Sequence, residues 1–337
     1  MIDAHSSTKI CGLNKMKLQQ SDEEVARLIH EATLFYAKNY DLKTWRVGRG
    51  GSDKLFLGSA TNRKCRFCRR SEPDVSFRNN AHAIPEALGN NTVFSNFECD
   101  VCNQEFGDTI ENDFGNWFLP RRMLAGLKGK NKYPKIKSKD RKSRLDWRDT
   151  GLHVDNADES DFFIADEESK TLKLNLDVPS YIPINVWRAF VKMGISLVDE
   201  SRYRYFSDAV AWVKGDLKPD ERVRTWPIQS YAMPGPSKIT DVTIAMLYRN
   251  NDWLKLPYAM LLINYGIHSF QVHIPSSAKD FMVEDGGIDM PLVPMFSAAD
   301  IKQYGVPQLI ELDFSGDQVV KGERFTFRGT YSGVTEL

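Results

Sequence analysis

Residues 65–114 read CRFCRRSEPDVSFRNNAHAIPEALGNNTVFSNFECDVCNQEFGDTIENDF. Two C-x-x-C pairs, Cys65/Cys68 and Cys99/Cys102, flank 30 intervening residues. This is the arithmetic of a four-cysteine zinc site, in which each tight turn supplies two thiolates. Such a site is closed to substrate, so the zinc would fold the segment. Its binding free energy, about 10 kcal/mol or more, can organise a region with little core of its own. A redox-active dithiol would need one C-x-x-C in a βαβ setting, and this segment has two mutually spaced pairs.

Between and after the pairs, Gly89-Asn90-Asn91 can turn between two short strands, and Asn103 to Phe114 can form a helix. The segment resembles the four-cysteine, zinc-containing branch of the HNH endonuclease family. The resemblance rests on both knuckles, His82 within A-H-A-I-P-E-A-L-G, Asn96 before the second pair, and Asn103 directly after Cys102. It covers about residues 61–119 and implies a ββα-metal fold, with the histidine on a hairpin and a metal ligand on the following helix.

The family's chemistry, by resemblance, is divalent-metal-dependent hydrolysis of phosphodiesters, with Mg²⁺ or Mn²⁺ as the catalytic ion and DNA preferred to RNA. His82 takes the general-base position, where a neutral imidazole is suited to accept a proton from water. Asn103 matches the last motif residue, a ligand of the catalytic ion. Asn96 matches the middle residue, which orients the base, and Asn91 competes for that role. Where many relatives place a metal ligand before the base, this chain has Ala81. Glu86 and Glu111 are the candidates to supply the missing carboxylate, ahead of Asp108. The resemblance also suggests a setting in restriction or phage defence.

Downstream, residues 121–144 carry 11 basic side chains and one acid, whereas residues 145–170 carry nine acids and two bases. Arg121, Arg122, Lys128, Lys130 and Lys132 are the expected phosphate contacts. The acidic segment could cover them in the resting protein. This segregation disappears in the total of 45 basic and 45 acidic residues over 337 positions.

Upstream, S-D-E-E at residues 21–24 starts a helix with apolar residues at helical spacing, and its His30 reads as a boundary residue. The stretch WRVGRGGSDKLFLGS reads as a turn between two strands and lacks the order of a phosphate loop. After residue 150, FFIADEESKTLKLNL reads as a hairpin, Trp187 to Val198 as an amphipathic helix, and three apolar runs after residue 239 as buried strands. His268 and His273 read as packing residues. No nucleophile motif is legible there.

The expected fold class is α+β: a small zinc-stabilised ββα-metal module followed by a larger α+β domain with a mainly antiparallel sheet. The division is a leader, helix and short strands packing on the nuclease module (1–60), the module (61–119), a basic linker or contact segment (120–150), and a C-terminal domain (151–337). With no signal peptide and no apolar run long enough to span a bilayer, a cytoplasmic location without membrane contact is expected. The partner is nucleic acid, and a homodimer or a defence-system partner is compatible with the sequence. A catalytically silent zinc-knuckle binding module and an effector nuclease gated by the C-terminal domain are the alternative functions.

Overall fold

A computed structural model describes residues 22–47, 53–128, 133–148, 151–157, 160–217, 223, 226–233, 242–283 and 290–330. The elements run α1 (Asp22–Asn39), β1 (Tyr40–Val47), β2 (Leu55–Leu57), β3 (Ala81–His82), β4 (Val93–Ser95), α2 (Asp100–Asp108) and α3 (Ile110–Leu124). They continue with β5 (Lys135–Lys137), β6 (Arg144–Arg148), β7 (Gly151–Asp155), β8 (Phe163–Asp166), β9 (Thr171–Asp177), α4 (Pro183–Leu197), α5 (Glu200–Tyr203) and α6 (Ser207–Lys214). The last are β10 (Ile228–Ala232), β11 (Val242–Arg249), β12 (Ala259–Tyr265), β13 (His268–Ile274), α7 (Ala298–Tyr304), β14 (Gln308–Leu312) and β15 (Arg324–Thr330). No described helix is long and apolar enough to cross a membrane.

The three apolar runs become β11, β12 and β13 at the centre of an antiparallel sheet ordered β1-β11-β12-β13-β10-β14. They read as continuous apolar stretches because both faces are covered. Ile244, Met246, Leu261, Ile263, Val272 and Ile274 point to one side, where α3 and α4 pack. Ala245, Leu247, Met260 and Leu262 point to the other, against Tyr36 of α1. Gly194 lets α4 lie close on β13, since a Cβ there would stand 2.5 Å from Ile274 Cδ1. The mixed α+β architecture with mainly antiparallel sheets is as expected.

Three expectations change. First, the segment before residue 61 divides: β2 pairs with β4 of the module, whereas α1 and β1 join the large sheet. Residues 40–47 form the edge strand beside β11, Tyr40 facing Arg249, and Val25 and Ala32 of α1 share a core with Ile301 of α7. The cysteine-rich segment thus enters between two neighbouring strands of the large sheet. Second, the two strands flanking the glycine-rich turn belong to different sheets, β2 pairing in parallel with β4, and the turn itself, residues 48–52, lies outside the described residues. Third, the basic segment is folded over much of its length. It finishes α3 and then forms the antiparallel sheet β5-β6-β7, whose Ile136 and Leu145 share a core with Leu174 and Leu176 of β9.

One aromatic cluster joins module and sheet. Trp117 of α3 lies edge-on to Phe190 of α4 at 6.0 Å and to Phe314 at 5.0 Å, and Phe118 is 5.0 Å from Tyr265 of β12. Phe114, Trp117 and Phe118 are essentially inaccessible to solvent, and burying each contributes about 2–3 kcal/mol. A fragment ending at residue 150 would expose all three. It is expected to aggregate or lack a cooperative transition by gel filtration and near-ultraviolet circular dichroism, whereas the full chain unfolds cooperatively.

Candidate active site

The first knuckle is a tight turn in which Arg69, at φ 64°, donates its N–H to Cys65 O at 3.0 Å. The second opens α2, with Cys99 as the preceding cap residue and Asn103 N–H donating to Cys99 O at 2.9 Å. The four sulfurs lie within 4.8 Å of one another, and Cys68 Sγ and Cys99 Sγ are 3.7 Å apart. Tetrahedral zinc with bonds of about 2.3 Å sets its sulfurs about 3.8 Å apart. The cluster therefore fits a structural zinc ion. Cys65 is held at about 4, far below an ordinary thiol, chiefly by the hydrogen bond with Cys102 and then by surrounding backbone N–H groups, against the effect of burial. The same hydrogen bond raises Cys102, and burial raises Cys99, so one thiolate is held among neighbouring thiols that a bound zinc would deprotonate.

The expected ββα frame is present as β3, β4 and α2. β3 and β4 pair antiparallel, Ala81 facing Ser95 and His82 facing Phe94. Their connection holds a 3-10 turn, Glu86–Leu88, which ends at Gly89 in the left-handed region (φ 77°). The expected single helix over 103–114 is instead two helices, α2 and α3, broken at Thr109 (φ −121°, ψ −95°).

Asn90, which the sequence does not single out, holds the hairpin connection together. It is buried. Its Nδ2 donates to Ile84 O at 2.6 Å and Val93 O at 2.8 Å, and its Oδ1 accepts from Thr92 N and Val93 N at 3.0 and 2.9 Å. With every bond made, Nδ2 sits 3.4 Å from His82 Nδ1. Asn96 is turned elsewhere, donating to Gly58 O at 3.2 Å.

His82, Glu86, Asn91 and Asn103 line one cleft with Lys54, Asn79, Asn80, Thr92, Phe94 and Gln104. His82 Nε2 lies 3.3 Å from Glu86 Oε1, and its ring packs on Phe94 at 4.8 Å. Asp100, at the start of α2, fixes the loop leading to Asn79 and Asn80. It accepts from Ser76 Oγ at 2.6 Å and from the N–H groups of Arg78 and Asn79 at 2.9 Å. Burial opposes its charge, but these hydrogen bonds outweigh it and hold the carboxyl below its ordinary value.

Glu111 departs from expectation. Its carboxylate is not on the cleft wall. It accepts from Lys192 Nζ of α4 at 2.8 Å. Lys192 is fully buried, lies 2.9 Å from Glu98 Oε2, and donates to His82 O at 3.1 Å. Burial would depress the ammonium's pKa, but Glu111 and Glu98 more than offset this and raise it. Burial pushes Glu98 the other way, up to about 7, with Lys192 opposing. Asp108 accepts from Gln104 Nε2 at 2.7 Å on the surface of α2.

The basic residues separate. Arg121 packs its guanidinium between the rings of Trp117 (4.2 Å) and Phe325 (4.8 Å), because that face of α3 turns inward, so it is not placed as a phosphate contact. Arg122 donates from Nε to Leu127 O at 3.2 Å. Lys128 is exposed beside Tyr133, and Lys130 and Lys132 lie outside the described residues. Two acids of the following segment pair back onto the end of the basic stretch: Asp155 lies 2.5 Å from Arg144 and Asp146 lies 3.6 Å from Lys135, and both also pair with Arg148 at 3.2 Å. His273 bonds Asp280 at 3.0 Å, and burial, helped by Arg121, lowers His268 to about 4.

A model of the HNH endonuclease family matches residues 65–119. The match spans both knuckles, His82 and Asn103, and the segment is of that family. No curated protein and no solved structure matches the chain.

Metal analysis of the purified chain should give one zinc per molecule, lost in Cys99→Ser together with cooperative unfolding. Lys192→Met, which leaves two carboxylates buried, should lower unfolding free energy by about 3–5 kcal/mol in urea titrations. Adding Glu98→Gln and Glu111→Gln should recover part of that loss.

Proposed function

We propose that the cleft hydrolyses phosphodiester bonds of DNA, with His82 as the general base. The observation that carries this reading is that His82, Glu86 and Asn103 line one cleft on a ββα frame beside a four-cysteine cluster. The imidazole accepts a proton from the attacking water, and the Glu86 carboxylate, 3.3 Å from Nε2, stabilises the resulting imidazolium. Asn90 and Phe94 keep the ring in place from behind. Asn103 and Glu86 offer the oxygen donors a hard divalent cation such as Mg²⁺ or Mn²⁺ takes, and such an ion, when bound, stabilises charge on the scissile phosphate. Lys54 brings positive charge to the same cleft. Restriction or phage defence is the setting the family resemblance suggests for this activity.

One observation favours a second reading, a zinc-stabilised module that binds nucleic acid without cutting it. Ala81, directly before the base, is buried and offers no ligand. The two readings separate in a plasmid-nicking assay with the full chain and added Mg²⁺ or Mn²⁺. Wild type should nick, and His82→Ala with zinc retained should lose at least about 100-fold in rate. Asn90→Ala should also lose rate, whereas Asn96→Ala should not. Binding without cleavage of either the plasmid or a single-stranded DNA circle under any of these conditions would select the second reading.

A further inference from the structure

Strand register carries the cleft beyond His82. In the sheet β3-β4-β2, His82 faces Phe94 and Phe94 faces Phe56. Laterally paired residues project from the same face, so the three rings form one row. His82 and Phe94 are 4.8 Å apart, and Phe94 and Phe56 are stacked at 5.2 Å with 23° between planes. Phe94 is buried by its two neighbours, but Phe56 at the outer end is 41% exposed. Lys54, two residues earlier on the same face, holds its Nζ 5.5 Å from the Phe94 ring and lines the cleft with His82. Phe56 and Lys54 precede the family-matched segment, so neither belongs to its motif.

A phenyl ring has no hydrogen-bonding group with which to read a base edge or hold a phosphate. Its favourable contact with a nucleic acid is stacking on a base whose face is open, and paired bases inside a duplex have both faces covered. The two ring spacings place Phe56 within about 10 Å of the His82 ring, one to three nucleotides at the ~3.4 Å rise of a strand. We propose that Phe56 and Lys54 form a nucleotide subsite, Phe56 stacking on an unpaired base next to the scissile phosphate and Lys54 neutralising a flanking phosphate. The substrate class is then DNA with an unstacked nucleotide at the cut: a single strand, a flap or a gap. This rests on the phosphodiesterase reading of the cleft.

The test measures binding of the full chain, without added Mg²⁺ or Mn²⁺ so that nothing is cut, to fluorescein-labelled single-stranded and blunt duplex oligonucleotides of one sequence. In a second set, 2-aminopurine occupies successive positions of the single strand. The single strand should bind at least about tenfold tighter than the duplex, with 2-aminopurine quenched at one position. Phe56→Ala should remove the quench and weaken single-strand binding about tenfold, Phe56→Trp should keep both, and Lys54→Ala should reduce the salt dependence by about one counterion. A matching thermal melt for Phe56→Ala excludes misfolding. Equal affinity for duplex and single strand, or an unchanged quench in Phe56→Ala, overturns the subsite. Stacking without cleavage of the labelled single strand once Mg²⁺ or Mn²⁺ is added removes the hydrolase reading and leaves the subsite standing. Nicking by a protein indifferent to Phe56→Ala does the reverse, and failure to bind any oligonucleotide removes both.

Discussion

The buried ammonium of Lys192 is the constraint on which the site depends. Taking an ion pair out of water costs several kcal/mol per ion, and attraction offsets this only where partners are close and polar atoms are satisfied. Here the partners come from three directions. Glu98 precedes the second knuckle, Glu111 is on α3, and His82 O belongs to the strand carrying the proposed base. The Glu98 contact is a close ion pair without hydrogen-bond alignment. Burial pushes its carboxyl up, with Lys192 opposing. The proposed catalytic strand is thus anchored from behind, through its main chain, by a residue of the helix packed on the large sheet, leaving the imidazole facing the cleft.

Arg66 repeats the arrangement from the opposite direction. Lying between the two cysteines of the first knuckle, it is buried against Phe97 at 3.6 Å and donates to Ile195 O at 2.8 Å. That carbonyl is in the last turn of α4, where helix carbonyls lack internal partners and a cation is favoured. One helix therefore receives a cation from the zinc knuckle at its end and supplies one to the ββα frame from its middle. The four-cysteine cluster sets the local shape of the module, and α4 sets its place on the sheet.

What was legible in the sequence follows the range of the physics. The knuckles, α1, the β8–β9 hairpin and α4 depend on spacings of a few residues and could be read directly. Asn90 escaped the sequence reading because its burial follows from the turn that ends at the left-handed Gly89, and composition does not encode that. Glu111 was drawn toward the catalytic ion by its helical position, and its true partner is 81 residues away on α4. Arg121 looked like a phosphate contact because charge was counted along the chain, whereas its position on α3 places it under two rings. Lys54 and Phe56 carry no motif. Only the parallel pairing of β2 with β4 brings them beside His82.

The β1–β11 pairing has a consequence for the order in which the molecule can be made. Tyr40 waits for Arg249, about 200 residues later, and His82 waits for Lys192. At ~5–20 residues per second, the ribosome needs roughly 10–30 s after Phe114 to deliver the end of β11. Through the first part of that interval, until residue 192 emerges, the module has its cysteines and histidine but not its ammonium anchor, and Phe270 and Phe314 of the aromatic wall come later still. Such long-range closure is slow and comes late. A chain halted before residue 192 carries the family-matched segment without the anchor behind His82, so vectorial synthesis itself delays completion of the cleft.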